Sequence, residues 1–150
     1  ALRRVEACEG AEMSLHMAGD DHAFTFAMDD YGTGYSNVQN LLRYVPDIVK
    51  IDRSLISEIH NDRKKRHFVK EIVEFCHDNG IKALAEGVET AEELQMVIQL
   101  GCHLIQGFYT GRPNAQIVDH INEDIENQIV AINLKLAKLA YENKVYEANN

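Results

Sequence analysis

Two adjacent carboxylates, Asp29 and Asp30, close a short apolar run and lead into Tyr31-Gly32-Thr33-Gly34-Tyr35-Ser36. Three later apolar runs end in the same way. One gives Lys50 and Asp52, the next Glu86, Gly87 and Glu89, the last Gln106 and Gly107. Acids gathered at neighbouring strand ends repel one another unless cations sit between them, and oxygen-rich sites of this kind suit Mg²⁺ or Mn²⁺. A lysine among them keeps its charge and can hold a phosphate oxygen or a water. This set of groups is what metal-assisted phosphoester hydrolysis requires. Taken singly, each has an ordinary reading: Asp29 and Asp30 as turn formers, Lys50 and Asp52 as a surface ion pair, Glu86 as a solvated acid. Composition and spacing alone leave both readings open.

Positioning such groups is a matter of the elements that carry them. Arg3 to about Met17 reads as a first helix, closed by Gly19-Asp20-Asp21. Phe24 to Met28 has strand length and composition. Ser36 can cap a helix bearing Val38, Leu41 and Leu42 on one face, stopped by Pro46. Ile48-Val49-Lys50-Ile51 is a second strand. A helix from Asp62 to Asn79 follows, with Phe68, Ile72, Val73 and Cys76 as its apolar stripe and Gly80 as its stop. Ile81 to Ala85 is a third strand. Thr90-Ala91-Glu92-Glu93 is a capping box for a helix ending at Gly101, and His103-Leu104-Ile105 opens a fourth strand. Strands alternating with helices predict a parallel α/β sheet, whose carboxyl ends gather on one side. From Ile117 through Ile121, Ile125, Ile129, Ile132 and Leu136 to Leu139, apolar residues recur every three or four positions. They predict a long amphipathic helix whose stripe must be covered.

The whole chain narrows the classes. Its 150 residues suit one core, and a net charge of −9 opposes sequence-independent nucleic-acid binding. No stretch approaches the roughly 18 apolar residues of a membrane span, and no apolar run behind Ala1-Leu2-Arg3-Arg4 suggests a signal peptide. Cys8, Cys76 and Cys102 form no CxxC pair and fit reduced thiols of a cytoplasmic protein. Gly32-Thr33-Gly34 lacks the third glycine of a dinucleotide fingerprint, because Asn37 stands there. No HExxH, zinc-type Cys/His spacing or GxSxG occurs. The basic run Arg63-Lys64-Lys65-Arg66 reads as a solvated helix start.

Four motifs occur in order: Asp29-Asp30-Tyr31-Gly32-Thr33-Gly34-Tyr35-Ser36, Lys50-Ile51-Asp52-Arg53-Ser54, Glu86-Gly87-Val88-Glu89-Thr90, and Gln106-Gly107-Phe108-Tyr109 through Arg112-Pro113. Together they resemble the second half of the EAL-domain family of cyclic di-GMP phosphodiesterases, over roughly Phe24 to Asn114. The resemblance implies a TIM-like barrel that hydrolyses cyclic di-GMP to the linear dinucleotide with two divalent metals. It casts Asp29, Asp30 and Glu86 as metal ligands, with Glu86 the alternative general base. Lys50 would lie beside the attacking water, and Gln106 would support that water or a ligand oxygen. Glu89 would anchor the loop Gly32 to Ser36 through Thr33 or its neighbours, a loop that shapes the dimer surface in this family. Tyr31 stands where the family usually has Phe.

The Glu-Ala-Leu triplet that names the family does not occur in the chain, nor do the Asn and Glu that supply further ligands before Phe24, nor the substrate-holding arginine after the triplet. A whole barrel needs about 250 residues and eight strands. The expected architecture is therefore a partial TIM-like barrel of about four parallel βα units, the carboxyl-terminal half of an EAL domain over residues 1–115, with the long helix and polar tail over 116–150. Such a chain is expected to be inactive alone. Its alternative is a non-catalytic remnant serving as a nucleotide-binding or dimerisation module. Open strand edges and the apolar helix predict a homodimer.

Overall fold

The computed structural model describes residues 3–6, 12–17, 24–32, 41, 45–113 and 120–148. One six-stranded sheet runs in sequence order: β1 (Arg3–Glu6), β2 (Glu12–Met17), β3 (Phe24–Tyr31), β4 (Ile48–Ile51), β5 (Lys82–Glu86) and β6 (Leu104–Gln106). The links β3–β4, β4–β5 and β5–β6 are parallel, as the βα alternation predicts. The helices α1 (Arg53–Ile56) and α2 (Arg63–Asp78) lie between β4 and β5, and α3 (Ala91–Gln99) lies between β5 and β6. This is the parallel α/β arrangement of a partial TIM-like barrel. The expected cap at Ser36 and most of its helix fall outside the described residues, apart from Leu41, which is buried in the core.

The expected first helix is wrong. Residues 3–6 and 12–17 are strands, antiparallel to each other, and β2 is antiparallel to β3, with Met13, Leu15 and Met17 opposite Met28, Phe26 and Phe24. The alternation of Met13, Leu15 and Met17 has the two-residue period of a strand, and pairing with β3 favours it over helix propensity.

Strand alternation then sets what faces where. Val49, Ile51, Ala83 and Ala85 are buried, and with them in one core lie Val69, Ile72, Val73 and Cys76 of α2 and Leu94, Val97 and Ile98 of α3. Each large side chain buried there contributes about 1.5–3 kcal/mol. On α2 the buried stripe begins at Val69, since Phe68 is 44% exposed; positions 69, 72, 73 and 76 lie closer to one line down the helix. Asp62 caps α2 by accepting from the Lys64 and Lys65 amides, and Gly80 follows its end with φ +70°. The residues between the buried ones, Lys50, Leu84 and Glu86, take the opposite face of the sheet.

The long helix α4 spans Glu123–Ala148, about 39 Å. It packs along α3, with Ile125, Ile129, Ile132 and Leu136 half-buried against the core. The Tyr109 hydroxyl donates to Gln128 Oε1 at 2.9 Å. Of the expected stripe, Ile121 and Leu139 remain exposed and Ile117 lies outside the described residues. A second set, Val130, Leu134 and Tyr141, faces outward. No described helix is long and apolar enough to cross a membrane.

Candidate metal centre at the carboxyl end of the sheet

In a regular strand two consecutive side chains point to opposite faces, so Asp29 and Asp30 could not both reach one site. The sheet register resolves this. Met28 pairs with Val49 and Tyr31 with Ile51, so β3 spends one residue more than β4 over the same stretch. That is a bulge, and Asp30 carries it with φ 52°, a conformation that Asp tolerates better than most residues. Met28 and Tyr31 stay in the core on either side. Between them the bulge brings the two acids to one site.

Oxygens of Asp29, Asp30 and Glu86 all lie within 4.8 Å of one another. Lys50 Nζ sits against two of these acids, 2.6 Å from Asp29 Oδ1 and 2.5 Å from Glu86 Oε1. The three residues of this bridge are mostly buried, with side-chain exposures of 17–18%. Burial raises the Glu86 pKa above the usual carboxylate range; the Lys50 ammonium opposes this, and Asp29 and Asp30 add to the rise. Burial alone would lower the Lys50 pKa, but hydrogen bonds and charge attraction from Asp29 and Glu86 prevail and raise it. The lysine is therefore a fixed cation.

Three hard carboxylates at this separation fit a divalent cation. Oxygens on opposite sides of an ion at about 2.1–2.4 Å would themselves be about 4.2–4.8 Å apart. Asp29, Asp30 and Glu86 are thus the residues that could hold one.

The remaining expected site residues are placed less centrally. Gln106 ends β6 beside Glu86 and lines an open cavity of about 640 Å³ with Phe108, Arg112 and His120. Arg112 lies over the Phe108 ring, 5.2 Å from its centroid. Asp52 caps α1: partial burial opposes ionisation, but hydrogen bonds from Ser54 and Arg53 hold its pKa below the usual range. Glu89 pairs in bidentate fashion with Arg53, both N–O distances being 2.6 Å. Thr33, its expected partner, lies outside the described residues. Cys76 and Cys102 are thiols pushed up by burial to about 11 and about 12, too high for nucleophilic use.

Two glycines let the loops close on each other. Gly87 has φ +71°, and a Cβ there would come within 2.6 Å of the Arg53 stem. A Cβ on Gly107 would overlap the Val88 backbone, which donates to Gln106 O at 3.1 Å and accepts from the Tyr109 amide at 3.0 Å.

Sequence reasoning found the capping box but not the whole task of Glu93. Thr90 and Glu93 exchange their hydrogen bonds as expected. The Glu93 carboxylate, only 3% exposed, also accepts from the Glu89 amide at 2.8 Å and the Glu58 amide at 2.9 Å. Glu58 belongs to the connection after α1 and holds φ 57°. A buried acid 35 residues from its backbone donor leaves no local trace in a sequence.

A parallel α/β sheet whose strand ends gather three acids and a lysine defines a class of metal-site folds. Within it the chain belongs to the EAL domain family, which matches residues 5–113. It is 39% identical over 100 residues to the cyclic di-GMP phosphodiesterase PdeL of Escherichia coli K12, covering 67% of this chain and 26% of PdeL. The standalone versatile EAL protein of Vibrio cholerae O395, solved with c-di-GMP bound, superposes with a TM-score of 0.60 at 35% identity, covering 64% of this chain and 40% of that one. The manganese/cy-diGMP complex of Klebsiella pneumoniae BlrP1 gives a TM-score of 0.56 at 44% identity over 58% of this chain and 22% of that one. The chain thus spans about a quarter of the length of PdeL and 12% of that of a protein from Azorhizobium caulinodans.

Proposed function

We propose that this chain carries the metal-binding side of a cyclic di-GMP phosphodiesterase site. The observation that supports it is the Asp29–Asp30–Glu86 cluster, bridged by Lys50, in a member of the EAL family. Divalent cations, Mg²⁺ or Mn²⁺, held by these acids would neutralise the phosphodiester and acidify the attacking water. Glu86, in its alternative role as general base, would take the proton from that water. Lys50 holds the water or a phosphate oxygen, and Gln106 orients it from β6. One P–O bond forms to the water oxygen and one breaks, with the leaving ribose oxygen taking a proton, so the ring opens to the linear dinucleotide. Glu89 steadies the mouth from its pair with Arg53 and, through Thr33 or its neighbours, the loop after β3. We place this activity in the cytoplasm, where buried reduced thiols such as Cys76 persist.

A second reading follows from ligand number. Two metals need roughly six protein donors plus waters, whereas three acids gather among the described residues and the Glu-Ala-Leu triplet is absent. We therefore expect residues 1–150 alone to bind metal or nucleotide without turnover. Measured hydrolysis of cyclic di-GMP with Mn²⁺ at about 0.1 per second or faster, lost in Glu86→Gln, would establish catalysis by this chain and end the binding-only reading. We also infer self-association through the outward set Val130, Leu134 and Tyr141 of α4, residues 116–150 acting as an appendage to the domain. Light scattering at micromolar concentration should give two chain masses, falling to one in Leu134→Glu; one mass for the unaltered chain ends that idea.

A further inference from the structure

Glu93 stands apart from the other acids of the mouth because its carboxylate is almost wholly buried and is satisfied by backbone donors. Oε2 accepts from the Glu89 and Thr90 amides at 2.8 and 3.2 Å, both in the connection that leaves β5 just after Glu86. Oε1 accepts from the Glu58 amide at 2.9 Å, in the connection between α1 and α2, beyond β4. The two oxygens thus reach two different connections, the one after β5 and the one between α1 and α2. The Thr90 box alone would need only one of them.

We propose that Glu93 is a positioning residue, a clamp that fixes the β5 connection against the α1–α2 connection and so sets Glu86, at the end of β5, against Lys50 and the acids of β3. This rests on the reading of Asp29, Asp30 and Glu86 as metal ligands. Ligand sites lose affinity when the groups that orient their ligands are removed, typically by about 10- to 100-fold. Glu93→Gln isolates the clamp. A glutamine keeps the size of the side chain and one acceptor oxygen, enough for the capping box. Its amide nitrogen cannot accept from a backbone N–H, so one connection is released. With its oxygen on Glu89 and Thr90, the released partner is Glu58.

The test is Mn²⁺ titration of the full chain, followed by electron paramagnetic resonance, alongside amide hydrogen exchange. Glu93→Gln should bind Mn²⁺ about 10-fold more weakly and expose the Glu58 amide to faster exchange. Val97→Ala, which loosens the core side of the same helix, should lower stability while leaving Mn²⁺ affinity alone. The clamp is overturned if Glu93→Gln frees the Glu58 amide yet keeps Mn²⁺ affinity within about twofold. It is equally overturned if Val97→Ala weakens Mn²⁺ as much. An unaltered chain that takes up no Mn²⁺ overturns the metal reading itself, and the clamp's role with it; that outcome is recognised because the failure precedes any substitution.

Discussion

Glu86 and Glu93 lie seven residues apart at the same end of the sheet, both shielded from water, and they are satisfied in opposite ways. Glu93 is met by three backbone amides and, among the described residues, by no cation. Glu86 is met by a lysine and crowded by Asp29 and Asp30, and its proton affinity rises accordingly. Neutral, fixed donors make an acid part of the scaffold, because nothing is gained by bringing an ion to it. An acid met by a side-chain cation, with other acids beside it, is the one that can trade an ammonium for a metal. Burial alone does not separate the two. The identity of the partner does.

Breaking each acid's contacts from one side should expose this difference, beginning with the largest effect. Glu93→Ala leaves three backbone N–H groups without their acceptor, and each orphaned buried donor costs about 1–3 kcal/mol. Water entering the vacated space recovers part of that. The expected loss is about 3 kcal/mol in urea unfolding, and Mn²⁺ should not restore it. A loss below about 1 kcal/mol would mean that the Glu93 hydrogen bonds are redundant.

Lys50→Met probes the other side. It strips Asp29 and Glu86 of their cation while keeping most of the side-chain volume, and should cost about 2 kcal/mol near pH 7. The site's exposure of 17–18% places it below the cost of breaking a fully buried pair. Unlike the loss at Glu93, this one should be reversible. Glu86 has a raised folded pKa, so its contribution to stability is full below the unfolded carboxylate pKa and is lost as pH rises through the folded one. Lys50→Met should therefore recover on moving from about pH 7 to about pH 5, and also on adding Mn²⁺ at neutral pH. In the unaltered chain the Lys50 contribution, with its raised pKa, is present at neutral pH and fades only at strongly alkaline pH. Failure of both acid and Mn²⁺ to rescue Lys50→Met would remove the distinction between the two acids.

The same contrast governs what could be read before the fold was known. Asp29, Asp30, Lys50 and Glu86 are legible because each lies at or next to the end of an apolar run, and parallel strands bring such ends together whatever the loops do. Their mutual approach needed one thing the residues do not announce, the extra position in β3 that turns Asp30. Glu93 was legible only as a cap, since its second connection crosses to Glu58. The start of the chain misled for a different reason: a short segment's period yields to whichever neighbour it pairs with, and β3 was available. In α4 the residues facing the core were visible by spacing, but which of its apolar sets is covered is decided by α3.

Thr90→Ala sharpens the comparison on the scaffold side alone. It removes the acceptor of the Glu93 amide at 3.2 Å while leaving Glu93's own bonds in place. A lost N-cap costs about 1 kcal/mol. Thermal unfolding should show that loss with unchanged Mn²⁺ affinity; a fall in affinity comparable to Glu93→Gln would assign the positioning to the helix start rather than to the carboxylate.

The smallest effect is expected where the geometry looks strongest. Arg53 and Glu89 form two short parallel contacts, the arrangement that gives arginine–carboxylate pairs their directionality. Their side chains are nevertheless 54% and 32% exposed, and water competes for both. Exposed pairs contribute about 0.2–1 kcal/mol, so Arg53→Ala should cost about 0.5 kcal/mol from the charge. That share should shrink in about 1 M salt, where screening acts over about 3 Å. Arg53 has a second contact, however: its stem lies where a Cβ on Gly87 would have to go, so truncation also removes packing beneath the turn after Glu86. Arg53→Met separates the two, keeping the stem and losing the charge. If Arg53→Met costs about as much as Arg53→Ala and both losses vanish in salt, the pair acts through charge alone. If Arg53→Ala alone is costly and insensitive to salt, Arg53 belongs with Glu93 among the neutral supports of the mouth, and its ion pair is incidental to stability.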